Sequence, residues 1–405
     1  MKAVAMQRSL PRAIWALGLV SLLMDTSSEM IHGLLPVFLV AGLGASAATL
    51  GVIEGFAEAT ALVIKVFAGM LSDRRRRRKP LTVFGYAMSA ATKPLFVIAT
   101  SAGTVLAARV VDRIGKGIRG APRDALIADI VPPEQRGAAF GLRQSLDTVG
   151  AFAGPLFAIG LMALWHDDFR AVFRVAVIPA ALCVVVLALG VREPPERPHA
   201  PAANPMSRAN LARLGARYWR VVLFGALVGL AHFSEAFLIL RAQEGGLAIA
   251  LSPLVLVAMN VVYGVAAYPM GKLSDRGGNH HALLRIGLAL LVVADGVLAW
   301  RGSGAWVWIG IGLWGLHLAF TQGLLSRMVA DAAPADLRGT AFGMFNLVGG
   351  FTGLAASVLA GVLWDRVGPA GTFVAGAAFA VLAAIAVQSQ TPASSSGEAG
   401  ASEGR

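Results

Sequence analysis

A single cysteine, Cys183, in a chain of 405 residues leaves no internal disulfide to hold a fold together. It lies in an apolar run and reads as a core residue. Charge is scarce as well. Only 14% of the residues are Asp, Glu, Lys or Arg, where soluble domains carry about 25%. The chain has no G-x-x-x-x-G-K-[ST] loop and no C-x-x-C, so neither ATP-driven pumping nor a thiol metal site has support. No cofactor and no metal are expected, and no nucleophile paired with a base supports an enzyme. A cleavable signal peptide is not expected either, because the first apolar segment is long and holds Asp25 and Glu29 in place of a small-residue cleavage site.

What the chain has is hydrophobic length. It is 56% hydrophobic with a mean hydropathy of +0.68. Apolar stretches long enough to span a bilayer recur from Ala13 to Val387, about twelve in all. The expectation is an all-α integral membrane protein. The net charge of +12 would fit nucleic acid if it were spread over one surface, but its placement points elsewhere. Lys2, Arg8 and Arg12 precede the first span, Arg74 to Lys79 follow the second, and Arg192, Arg197, Arg208, Arg213, Arg217 and Arg220 lie between the sixth and seventh. The loops at 41–47 and 101–104 carry no Lys or Arg. The positive-inside rule then places both termini and the central linker in the cytoplasm, in a multi-pass protein of the cell (inner) membrane. No nucleic-acid partner is expected.

The chain repeats itself. "GMLSDRRR" at Gly69–Arg76 returns as "GKLSDRGG" at Gly271–Gly278, and "ADIVPPEQRGAAFG" at Ala128–Gly141 returns as "ADAAPADLRGTAFG" at Ala330–Gly343. Asp73 and Asp275 differ by 202 positions, as do Arg136 and Arg338. Two markers sharing one offset indicate duplication of a six-helix unit. The domain plan that follows is an N-terminal six-helix bundle over 1–191, a cytoplasmic linker over 192–218 and a C-terminal six-helix bundle over 219–388. A small, polar tail over 389–405 is expected to be disordered.

With these features the sequence resembles the major facilitator superfamily of secondary transporters over about residues 13–388. Gly69, Leu71, Asp73 and Arg74 with the basic run match the family's G-x-L-x-D-R-x-G-R-R loop, with Arg76 in place of its second glycine. Arg113 and Gly117 match the R-x-x-Q-G pattern of the fourth span, with Lys116 in place of the glutamine. Gly150, Gly154 and Pro155 look like the G-x-x-x-G-P motif of the antiporter branch. The resemblance implies twelve transmembrane helices in two pseudo-symmetric six-helix bundles around a central cavity, working by alternating access. It also implies gating roles for Gly69, Asp73, Arg74, Asp275, Arg276, Arg136 and Arg338.

The fourth apolar stretch carries charges that a lipid-facing helix would not tolerate. At 100° per residue Arg109, Asp112, Arg113, Lys116, Arg119, Arg123 and Asp124 fall within an arc of roughly 140°, opposite Val110, Val111, Ile114 and Ile118. An ion at mid-bilayer costs at least about 2.5–3.5 kcal/mol, so this face must look into a bundle or a watery cavity. Glycines around it are read as close helix contacts. Asp25, Glu29 and His32 share a face of the first span, Glu54, Glu58 and Lys65 a face of the second, Lys93 precedes Pro94 in the third, and Arg143 and Asp147 are four apart in the fifth. Adding 202 takes Asp112 to Trp314, Arg113 to Gly315, Lys116 to Leu318, Arg119 to Thr321 and Asp147 to Gly349, so the second half has lost this set. It offers only Glu235, Arg241, Asp295 and His317.

For Arg109 to Asp124, structural ion pairing and a direct substrate or proton role are both open. The leading expectation is a proton-coupled exporter of a small organic substrate, with coupling through Asp25 and Glu29 balanced by Arg113 and Lys116, acting as a monomer in the lipid bilayer. Transport of a small anion, metal-ion efflux through Asp25, Glu29, Glu54, Glu58 and His32, and a non-transporting scaffold or sensor are the alternatives.

Overall fold

The structure is a computed structural model that describes residues 10–74, 78–192, 208–277, 280–300, 304–334 and 337–388. The linker residues 193–207 and the tail over 389–405 lie outside the described residues, as do the side chains of Gly69, Asp73, Arg74, Asp275 and Arg276.

Among the described residues ten helices are long and apolar enough to cross a membrane. In chain order they are α1 (Arg12–Gly42), α3 (Lys79–Ile98), α5 (within Pro133–Leu164), α6 (Phe169–Gly190), α7 (Gly215–Glu244), α8 (within Ile249–Leu273), α9 (His281–Ala299), α10 (Ala305–Ala332), α11 (Arg338–Val367) and α12 (Pro369–Val387). Two more rods of similar length, α2 (Ala47–Arg74) and α4 (Ala102–Ile130), hold the ionic residues and complete the set of twelve. The helix starts keep the repeat: α3 begins at 79 and α9 at 280, α4 at 102 and α10 at 305, α5 at 136 and α11 at 338.

Two rods are interrupted. In α1 the helix Arg12–His32 gives way at Gly33 and Leu34 and resumes as Leu35–Val37, followed by a π turn at Phe38–Gly42. Pro36, which has no N–H to continue the ladder, accounts for the restart. In α7 the pieces Gly215–Ala231 and Ala236–Glu244 are separated by four non-helical residues, His232 to Glu235. No proline marks that break. The freed amide of Ser234 is satisfied from another helix, by the Ser357 hydroxyl of α11 at 3.1 Å.

At the end away from the termini every one of the twelve helices feeds one apolar cluster that joins both halves, from Met30, Leu50 and Phe96 through Phe173 to Phe237, Leu256, Trp314 and Phe373. At the terminal end the cores are separate. Ile14, Leu17, Ile127 and Leu187 belong to the first half, while Leu214, Tyr218 and Val329, and Leu284 with Leu288, belong to the second. Helices α2 and α11 run antiparallel and stay close along their length, because small residues let their backbones meet. A Cβ on Gly51 would sit 2.1 Å from the Ser357 carbonyl oxygen, and one on Gly361 2.4 Å from that of Ala47. The two halves thus share one core at one end and have separate cores at the other, where α2 and α11 still touch.

Candidate functional site

Helix α4 is wedged between α2 and α3, and its glycines make room. A Cβ on Gly115 would lie 2.7 Å from the Gly85 carbonyl oxygen of α3, and one on Gly117 2.7 Å from Ile64 of α2. The ionic face of α4 is divided between these neighbours. Towards α2, Arg109 makes a two-pronged contact with Glu54, its Nε donating to Oε1 at 3.1 Å, and one turn on Arg113 pairs with Glu58 at 3.0 Å. Acids spaced by four on one helix meet arginines spaced by four on its parallel neighbour. Towards α3, Asp112 pairs with Lys93 at 3.1 Å, and Lys93 also donates to Ser28 of α1 at 3.1 Å. Arg119 donates to Ser89 at 2.7 Å and lies over the Tyr86 ring at 4.5 Å.

Other members of the set meet on α1 and α5. His32 stands 3.5 Å from Glu29 and 3.7 Å from Glu54, bridging the two acids. Arg143 lies 3.6 Å from Asp147 and 3.7 Å from Asp124, and Arg123 is 3.0 Å from Asp124. Asp25 and Asp147 are electrostatic neighbours. The motif glycines of α5 explain how α1 comes so near: a Cβ on Gly150 would be 2.5 Å from the Leu22 carbonyl oxygen, and one on Gly154 2.6 Å from that of Thr26. Pro155 follows, buried, within the same helix.

Part of this set lines a polar cavity, with Asp25, Glu29, Arg109, Arg113, Lys116 and Arg119 on its wall. Most of its charges are mutually neutralised, as a low-dielectric site requires. Lys116 is the exception. It is exposed, with no ion-pair partner within 4 Å among the described residues. Of the balance expected from sequence, Arg113 makes its ion pair with Glu58 and Glu29 lies against His32, while Lys116 is an electrostatic neighbour of both Asp25 and Glu29.

Arg136 and Arg338 begin α5 and α11 at the terminal end, with Arg338 exposed. In the second half Glu235 ends the α7 break, and its electrostatic neighbours are His32, Glu29, Glu58 and Glu54 across the cavity. The same half has a separate cavity lined by Tyr263, Met270, Phe320, Leu324 and Arg327 among others. Sequence reasoning missed Ser28, Tyr86 and Ser89, which stand as ordinary span residues, and Asp365. The signal for Asp365 is an acid directly after Trp364 at a span end. Its carboxylate accepts from the backbone amides of Ala47 and Ala48 at 3.0 and 2.9 Å.

Twelve membrane-length helices in two matching halves, with a charged cavity in one of them, define a membrane transport protein rather than an enzyme. The sequence model of the Major Facilitator Superfamily matches residues 17–356 and, in an overlapping match, 238–404. The chain belongs to that superfamily. It is 31% identical over 386 residues to an MFS-type transporter of Methanocaldococcus jannaschii, covering 93% of this chain and 94% of the relative. It is also 24% identical over 349 residues to the multidrug resistance protein MdtH of Aeromonas hydrophila, covering 84% and 85%. Among solved structures it is similar to a point mutant of the nucleoside transporter NupG, with a TM-score of 0.77 at 13% identity, covering 93% of this chain and 99% of that one. A bacterial homologue of the human lysosomal transporter Spinster gives 0.72 at 19% identity, covering 94% and 97%.

Proposed function

We propose that this transporter exports a small organic substrate in exchange for protons, by alternating access. The observation that carries the reading is the Asp25–Asp147 carboxyl pair beside the uncompensated Lys116 in the first-half cavity. Two neighbouring carboxyls favour holding one proton between them, and a neighbouring cation favours its departure. Movement of Lys116 relative to the pair therefore loads or releases a proton. Glu29 joins through His32, which ties it to Glu54. Export, and a small organic substrate, are supported by the likeness to MdtH, named for multidrug resistance.

Under this proposal the domain plan is the one expected from sequence, both termini are cytoplasmic, and the end with the shared core faces outward. The chain acts as a monomer. Gly69, Asp73, Arg74, Asp275, Arg276, Arg136 and Arg338 form the inner gate. Metal efflux has less support, since Glu54 and Glu58 are each engaged by a guanidinium.

Proton movement in liposomes, compared between wild type, Asp25→Asn and Glu29→Gln, tests the reading. The expected result is loss of pH-driven transport in both variants, with substrate exchange down its own gradient retained. Unchanged proton movement in both would overturn the assignment.

A further inference from the structure

The second half contains a buried acid that the coupling reading does not use. Asp295 lies in α9 with 0% exposure. Its Oδ1 accepts from the Trp314 indole N–H at 3.2 Å, and its Oδ2 has no hydrogen-bond partner. A Cβ on Gly376 of α12 would fall 2.6 Å from that Oδ2 and 2.9 Å from the Phe233 ring, so α12 and Phe233 pack closely on the acid.

The internal repeat says what is missing there. The 202-residue offset takes Lys93 to Asp295 and Asp112 to Trp314, and it takes Gly85 and Gly115 to Gly287 and His317. The contacts correspond as well. Lys93 meets Asp112 where Asp295 meets Trp314, and the close approach of Gly115 to Gly85 is matched by His317 Nδ1 at 2.8 Å from the Gly287 carbonyl oxygen. In the first half two opposite charges neutralise each other. In the second the acid stands opposite an indole that carries no charge.

Among the described residues the surrounding groups supply no cation at ion-pair distance. From α7 come His232, stacked on Trp314 at 4.5 Å, and Glu235, three residues on; from α10 come Trp314 and His317. Helix α12 carries no charged residue. Arg241 reaches α9 a turn further along, on the carbonyl oxygens of Leu298 and Trp300, both at 2.7 Å. An isolated carboxylate in such a place is far costlier than the neutral acid.

We propose that Asp295 is a second proton-binding site, in the C-terminal bundle, whose occupancy is linked to the break in α7. The proton is the counter-ion that Lys93 is not there to provide. The carboxylate takes one proton from water to become the neutral acid and returns it to water on release. Of the break, Phe233 lies beside the acid at Gly376 and His232 stacks on its Trp314 donor, while Ser234 is held by Ser357 of α11. Reorganisation of residues 232–235 therefore uncovers Asp295 and loosens the contact with α11 together. This site is independent of Asp25 and Glu29.

Infrared difference spectroscopy on the purified transporter, with hydrogen exchange of the 232–236 amides corrected for intrinsic rates, tests it. Wild type is expected to show a protonated-carboxyl C=O band that Asp295→Asn removes and Asp25→Asn retains. Protection of 232–236 is expected to change with pH in wild type and to be constant in Asp295→Asn, which keeps the Trp314 bond. If Asp295→Asn cannot be purified, Trp314→Phe removes the donor and is expected to shift the band. A band insensitive to the variant tested, or pH-independent protection in wild type, would overturn the proposal. Loss of the Asp295 band effect with proton coupling through Asp25 intact refutes this site alone.

Discussion

Glu54 and Glu58 sit one turn apart on α2 and each faces an arginine, yet their surroundings give them different weights. The Glu54 side chain is 1% exposed and its Arg109 partner 5%, whereas that of Glu58 is 51% exposed. Removing one partner of a buried pair leaves an uncompensated charge, at about 3–5 kcal/mol. Where the charge left behind is solvated, as Glu58 would be without Arg113, the loss is about 0–1 kcal/mol. Arg109→Gln, which strands the buried Glu54, is thus expected to lower the apparent melting temperature markedly, and Arg113→Gln, which leaves Glu58 half in solvent, to lower it less. Equal losses in a thermal-unfolding comparison would show that burial does not govern this ladder. The residues were legible in sequence, and so was their spacing by fours. Their pairing was not, since it depends on α2 and α4 lying side by side and parallel, which no local pattern specifies. The same holds for Lys93 and Asp112, which meet across nineteen residues of chain.

At the scale of the helix, the number of spans and the repeat were readable because hydrophobic length and a fixed offset are properties of the sequence itself. The break in α7 was not, since it contains neither proline nor a glycine and depends on Ser357 of a distant helix. The motif glycines of α5 were visible, but which of the helix's glycines face a neighbour is a matter of packing. Gly150 abuts the α1 backbone, whereas Gly160 of the same helix has no atom within 4 Å of a built Cβ. Alanine at position 150 is therefore expected to overpack, costing about 1–3 kcal/mol. Alanine at 160 replaces a weak helix former and is expected to gain up to about 1 kcal/mol. Opposite signs in the two melting shifts are the diagnostic outcome, and a stabilising Gly150→Ala would mean that α1 and α5 do not approach as described.

For the molecule as a whole, alternating access requires that the end with the shared core open, and its contacts identify what must break. Asp365, near the end of α11, accepts from the amides of Ala47 and Ala48 at the start of α2. These are among the N–H groups that a helix start leaves without an intrahelical partner, and a carboxylate there is favoured by the helix dipole as well. The contact joins the two halves, so it exists only while this end is shut. A side-chain cap is worth about 0.5–2 kcal/mol, so Asp365→Ala is expected to raise the population open at this end by about two- to thirtyfold. The readout is alkylation of a cysteine at Ile53, buried in the joint apolar cluster, by an impermeant reagent, in a Cys183→Ser background. Labelling is expected to quicken in Asp365→Ala. A disulfide between cysteines at Ala48 and Asp365 is expected to suppress labelling and to arrest transport while substrate still binds from the terminal end. An unchanged labelling rate in Asp365→Ala, with the disulfide still arresting transport, would keep the moving interface and remove Asp365 as its latch. Transport that survives the disulfide would mean that α2 and α11 do not part at this end during the cycle.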